Sequence, residues 1–250
     1  MLEVRHISKS FMSVGKTTVA LKDINLVVND GEFVSLLGPS GSGKTTLLRI
    51  IDGLTAPDEG SVLLDGQEVS GVSDGMAFVF QDINLLPWRT VVGNVEIGLE
   101  ARGVRKQQRR KQAMEMLSLV NLTDVAEAPT YTLSGGMQQR VGVARALAVR
   151  PKVLLMDEPF AHLDNFAKET LQEELSRLWE MLRMTVVFVT HDVDEAVLLS
   201  DRIALLKSYP GRIGDVLPVD LARPRSRTDI GALEYRKRIL GDLGSWERTA

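Results

Sequence analysis

Apolar and polar residues alternate over Leu2–Ile7 and again over Val19–Val28, the period of two expected of half-buried strands. Asn29-Asp30-Gly31 predicts a turn, and Glu32–Leu37 then reads as a buried strand. A helix follows Lys44 and ends near Asp52-Gly53, and Pro57–Gly60 predicts a turn. Ser61–Leu64 and Gln67–Val69 flank an Asp65-Gly66 turn as a hairpin, and Met76–Phe80 is a short apolar strand with Gln81 at its end. From about Leu85 to Val149 the texture is helical. Helices are expected over Val91–Ala101, over Lys106–Leu119 with Ala113, Met116, Leu117 and Val120 on one face, and over Met137–Val149, stopping before Pro151. Strand character returns at Val153–Met156. Phe166–Leu182 is a long amphipathic helix, Thr185–Val189 a β-branched strand, Asp194–Leu199 a helix and Arg202–Leu206 the last clear core strand. Strands alternating with helices predict an α/β fold with a mostly parallel sheet, helices on both sides and the helical stretch inserted as a lobe. The expected division is 1–84 and 150–220 for the two parts of the core, 85–149 for the lobe and 221–250 for a tail. From Asp229 onward the tail is either a helix packed on the core or a regulatory segment.

Composition narrows the possibilities. With 250 residues, 44% hydrophobic and 25% charged, the chain has ample material for a core. A net charge of −3 gives no electrostatic footprint for nucleic acid, so none is expected as a partner. The absence of cysteine excludes disulfides, thiolate catalysis and thiolate metal sites. The N-terminus has no signal-peptide core, and no apolar run approaches the ~18–20 residues that cross a bilayer. Work at a membrane therefore requires a partner. Arg102, Arg105, Lys106, Arg109, Arg110 and Lys111 form a basic run, read as a solvated helix face or a protein contact.

Three stretches carry chemistry. Gly38-Pro39-Ser40-Gly41-Ser42-Gly43-Lys44-Thr45-Thr46 fits the phosphate-cradling P-loop, between a buried strand and a helix as that loop requires. Its glycines let backbone N–H groups turn inward, Lys44 reaches the β- and γ-phosphates, and the Thr45 hydroxyl is suited to Mg²⁺. A second Gly-Lys-Thr-Thr at Gly15–Thr18 has no leading glycine and no following helix, and is read as a hairpin turn. Val153–Met156 followed by Asp157 puts a carboxylate at a strand's C-terminal end, where it can hold Mg²⁺; Glu158 next to it is suited to accept a proton from water. Leu133-Ser134-Gly135-Gly136-Met137-Gln138 opens a helix in the lobe as a second anion-binding N-terminus.

These motifs, in this order, resemble the ATP-binding cassette (ABC) ATPases, and Leu133–Gln138 looks like their signature. The resemblance covers nearly the whole chain and implies a P-loop NTPase (RecA-like) core with an antiparallel β subdomain and an inserted helical subdomain. It implies that Phe11 stacks on adenine, though a core role for it is equally open. It further implies that Gln81 senses Mg²⁺ and the attacking water, that Asp164 belongs to the D-loop, and that His191 contacts the γ-phosphate. Where many importers of this family carry a small residue and then Ala before Leu-Asp, this chain has Ala161-His162-Leu163-Asp164, which puts an imidazole where two D-loops would approach. His6 and His162 are read as structural.

Phe80–Val91, Ser208–Ile213 and Pro218–Arg225 resemble the nitrate/sulfonate/taurine importer branch. That likeness implies an ATPase subunit on the cytoplasmic face of the cell membrane, working as a homodimer with ATP and Mg²⁺. It implies a membrane permease docking near Leu85–Val91, with Trp88 as anchor or as core, and, indirectly, an extracytoplasmic solute-binding protein. A soluble ABC protein outside transport and a P-loop kinase or GTPase remain alternatives; no Asn-Lys-x-Asp occurs in the chain.

Overall fold

The computed structural model describes residues 1–13 and 15–247 and divides into two units, 1–76 with 183–250, and 77–182. In the first, β1 (Leu2–Ser13) and β2 (Lys16–Val28) form a long antiparallel hairpin, paired at Leu2↔Val28 and Ser13↔Lys16. Their inward residues, Leu2, Val4, Ile7, Leu21, Ile24, Leu26 and Val28, are all buried. After the Asn29–Gly31 turn comes β3 (Phe33–Leu37), buried throughout, and then α1 (Lys44–Ile51). Next come β4 (Glu59–Leu64) and β5 (Gln67–Glu68), which complete an antiparallel sheet ordered β2-β1-β4-β5.

The second unit opens with β6 (Met76–Val79). Then come α2 (Val91–Ala101), α3 (Lys106–Leu119), α4 (Gly135–Ala148), β7 (Val153–Asp157) and α5 (Asn165–Leu182). β6 and β7 are neighbouring strands. α2, α3 and α4 pack on one another through Val92, Val95, Leu99, Ala113, Leu117, Val143 and Leu147. The chain then returns to the first unit with β8 (Thr185–Thr190), α6 (Val193–Leu199), β9 (Arg202–Lys207), β10 (Arg212–Pro218) and α7 (Ile230–Glu247). There β3 lies between β8 and β9 and runs parallel to both, while β10 is antiparallel to β9.

Several sequence expectations shift. Lys16–Thr18 are strand rather than turn, because each pairs across the hairpin with Ser13, Met12 or Phe11. Glu59 and Gly60 belong to β4: Gly60 has φ +84°, and a Cβ there would meet the Arg5 carbonyl at 2.3 Å, so this glycine serves strand pairing. The lobe helix begins at Gly135, two residues early. The tail is a helix packed on the core, with Ala232 and Ile239 buried against Val197, Ile203 and Leu217; the expected segment's last residues, 248–250, lie outside the described ones. The basic run divides. Arg105, Lys106 and Lys111 are solvated, whereas Arg109 and Arg110 approach the buried Glu96 at 3.5 and 3.6 Å and so tie α3 to α2.

Candidate nucleotide site

The register of three strands places the first unit's chemistry. Leu37, the last residue of β3, pairs with Thr190 on one side and Leu205 on the other. The P-loop therefore leaves the sheet beside His191. The corner after His191 is held from below: Asp192 accepts from the backbone N–H of Asp194 at 2.8 Å to cap α6, and the Thr190 hydroxyl donates to the Glu195 carboxylate. This leaves the imidazole exposed at the sheet's edge.

Sterics explain the P-loop glycines. A Cβ on Gly38 would meet the Leu206 carbonyl at 2.6 Å, and one on Gly43 would meet Leu21 at 2.6 Å. Gly41 and Gly43 both take positive φ, +80° and +86°, which turns the loop onto the N-terminus of α1. No acidic residue lies in that helix's first turn, so its partial positive charge is unopposed. Lys44 is buried and donates to the carbonyls of Gly38 at 2.8 Å and Pro39 at 3.0 Å, which holds the ammonium across the loop. The Ser42 hydroxyl is buried with no hydrogen-bond partner among the described residues. A glycine-lined cradle with a buried cation and an orphaned hydroxyl fits a phosphate chain. Pro39, partly exposed, and Ser40, exposed, lie in the loop, and Thr45 and Thr46, partly exposed, in the first turn of α1. Phe11 is 45% exposed on the β hairpin, with the Lys9 ammonium 5.6 Å from its ring centre, so it is available to stack.

The remaining candidates lie in the second unit, where local contacts draw them together. Asp157 ends the fully buried β7 and is 5% exposed; Glu158 follows with φ +42°, a conformation costly for a non-glycine residue. Gln81 stands, exposed, two residues past the neighbouring strand β6. Next to it, Asp82 lies 3.5 Å from Nε2 of His162 in the segment leading to Asp164. Asp164 accepts from the Ala167 N–H at 3.0 Å and so caps α5. The signature packs on this segment: Cβ atoms on Gly135 and Gly136 would lie 3.7 and 3.5 Å from Leu163 and Ala167. Those are ordinary contact distances, so nothing within the unit requires these two residues to be glycine. Ser134 is the N-cap of α4, accepting from the Met137 N–H at 3.4 Å, and the Gln138 amide donates to the Leu133 carbonyl at 3.1 Å.

The donors assigned to Mg²⁺, a hydroxyl, an amide oxygen and a carboxylate, are the hard oxygen set that this ion prefers. No group of three or more His, Cys, Asp or Glu side chains among the described residues is arranged to hold a metal.

Two clamps are absent from the sequence reading. Asn94, buried in α2, donates to the carbonyls of Leu86 and Thr90 at 3.1 and 3.0 Å and accepts from the Leu86 N–H at 2.7 Å. Arg145 of α4 donates to the carbonyls of Ile83 at 2.7 Å and Asn84 at 3.0 Å. The only signals available were an Asn among apolar helix positions and an Arg within Ala144–Ala148. Trp88, on the segment between these clamps, is 76% exposed rather than core.

The family profile described as ABC transporter matches residues 21–161. The chain is 52% identical to an uncharacterized ABC transporter ATP-binding protein of Methanocaldococcus jannaschii, over 97% of this chain and 91% of that protein. It is 46% identical to the taurine import ATP-binding protein of Pseudomonas putida, over 98% and 96% respectively. It also matches bicarbonate transport ATP-binding proteins, of which it spans 35% of the length. Among solved structures, it resembles a dimeric ATP-binding cassette in a post-hydrolysis state bound to ADP and Pi. That likeness has a TM-score of 0.77 and 36% identity, and covers 89% of this chain and 100% of that one. The profile spans more than half of the residues and the relatives extend along nearly all of them: this chain belongs to the ABC transporter family.

Proposed function

We propose that the chain is the ATP-hydrolysing subunit of a bacterial ABC importer for a small solute bearing an anionic group, of the taurine, sulfonate, nitrate or bicarbonate kind. The taurine import relative, alike from end to end, supports the importer reading. The observation that carries the mechanism is the pair of glycine-bearing helix N-termini, one in each unit, of which the signature's glycines are required by nothing in their own unit. In a head-to-tail homodimer, ATP lies between Gly38–Thr46 of one copy and Ser134–Gly136 of the other, with Gln138 and Asp164 beside the latter and Phe11 against adenine.

Thr45, Gln81 and Asp157 would hold Mg²⁺, which would supply neutralisation of phosphate charge. Glu158 accepts a proton from water as the water oxygen bonds to the γ-phosphorus and the bond to the β-bridging oxygen breaks. Lys44 and His191 stabilise the charge that develops, and Gln81 orients the water. Closure on ATP and reopening after hydrolysis then drive a permease that seats on Leu85–Val91. The subunit sits peripherally on the cytoplasmic face of the membrane, and an extracytoplasmic binding protein delivers the solute to the permease.

Glu158→Gln tests the reading directly. ATP binding should persist, turnover should fall by about two orders of magnitude or more, and an ATP-bound dimer should accumulate in size-exclusion chromatography. Wild-type turnover in this variant would remove Glu158 from the mechanism.

A further inference from the structure

Within the first unit, a cleft of 560 Å³ opens between the start of the P-loop, the β9–β10 turn and the last turn of α7. Its volume is in the range of small-molecule sites. Two cations line it, Lys207 and Arg212, which face each other across the β9–β10 register; among the described residues no carboxylate does. Arg212 also lies near Asp23. Two aromatics complete the walls. Trp246 lies under the Lys207 ammonium, 4.5 Å from ring centre to nitrogen, and Tyr209 is 80% exposed.

The site is built rather than incidental. A Cβ on Gly214 would meet the Trp246 ring at 2.6 Å and the Lys207 side chain at 2.7 Å, so this bare strand position is what lets the indole seat. The Ser208 hydroxyl is shielded from solvent, lines the cleft, and has no hydrogen-bond partner among the described residues. A buried hydroxyl in that state calls for an acceptor or donor from beyond the described residues, a role a bound ligand can fill. The cleft also touches the phosphate cradle: Ser40 lines it, and the Tyr209 phenol oxygen lies 3.4 Å from where a Cβ of Gly41 would be.

We propose that this cleft binds a small organic anion with a flat apolar body and that its occupancy tunes the P-loop. The anionic group pairs with Lys207 and Arg212 and accepts from Ser208, while the body stacks on Trp246 and Tyr209. A ligand resting on Tyr209 fixes the phenol against Gly41, and so reaches nucleotide turnover without occupying the phosphate cradle. Binding stands independently of the proposed function; only the effect on turnover rests on it.

Naphthalene-1-sulfonate serves as the probe, titrated calorimetrically into the full chain saturated with ADP. One molecule should bind per chain, while its neutral sulfonamide and inorganic sulfate each bind about tenfold more weakly or worse. The double variant Lys207→Gln/Arg212→Gln and, separately, Trp246→Leu should each lose about tenfold in probe affinity while keeping wild-type ADP affinity, which shows that the chain is folded. Wild-type turnover should change by about twofold or more on adding the probe, and the double variant's should not. Equal probe binding by wild type and both variants overturns the proposal, as does absence of binding to wild type. Displacement by ADP, with parallel loss in Lys44→Ala, would assign the anion to the phosphate cradle and overturn it too. Failure of the ATPase reading would appear separately, as no turnover in the wild type before any probe is added.

Discussion

Asp52 closes α1 at the end where a negative charge is least welcome. The helix C-terminus carries partial negative charge, and the side chain is 5% exposed. Burial pushes its carboxyl up to about 6. The folded chain therefore holds this proton more tightly than the unfolded chain, where an aspartate titrates near ~3.9. The neutral form's contribution to stability is complete below that unfolded value and is lost as pH rises to about 6. Asp52→Asn should be near neutral at pH 3.5 and should stabilise on the order of 1 kcal/mol at pH 7.5. Urea unfolding at the two pH values checks this; an equal effect at both would leave burial out of the explanation. Glu158 carries backbone strain: it keeps a costly φ of +42° just past the end of a buried strand.

The segment after β6 has its own Arg89 N–H to Leu86 carbonyl bond at 3.1 Å and is further fixed by partners on two helices. Asn94 holds its Leu86–Thr90 backbone from α2, and Arg145 holds Ile83 and Asn84 from α4. A Cβ on Gly142 would come within 3.0 Å of Ile83, so α4 and this segment are also in close steric contact. Trp88 thus stands exposed on a base anchored to the signature helix. An aromatic presented this way fits an interface anchor, and Trp88→Ala should weaken permease association by about 2 kcal/mol, roughly thirtyfold, with ADP affinity unchanged. Quantitative pull-down from solubilised membranes measures the first and calorimetry the second; loss of both would mark a folding defect. The two clamps also show what the sequence leaves hidden. The bounds of α2 and α3 and the strand at Val153–Met156, which the structure extends to Asp157, follow from periodicity and composition, and the phosphate cradle from glycine spacing. Asn94 and Arg145 bind main-chain carbonyls, which any residue supplies, so no pattern in the chain announces them. Gly60 misleads for a related reason: its glycine is required by the approach of β1, a contact distant in sequence, and not by a local turn.

For the molecule as a whole, the question is whether each nucleotide is handled by one chain or by two. The phosphate cradle and Ser134–Gly136 belong to different units, and the glycines at 135 and 136 have room for a side chain within their own unit. Room left unused at this helix N-terminus leaves the bare backbone open to a second copy, as the proposed dimer requires. A head-to-tail dimer makes a distinctive prediction for mixed variants. Lys44→Ala disables the cradle, and Ser134→Arg blocks the signature with a bulky cation. In either homodimer, both composite sites are defective. In a mixed dimer, the cradle of the Lys44→Ala chain meets the signature of the Ser134→Arg chain, which concentrates both defects in one site and leaves the other wholly wild type. Random pairing of equal amounts makes about half the dimers mixed, each with one intact site of two, so about a quarter of wild-type turnover should return on mixing. If each chain instead encloses its own nucleotide, every site in the mixture carries one defect or the other. Phosphate release would then stay at the average of the two inactive homodimers at every mixing ratio.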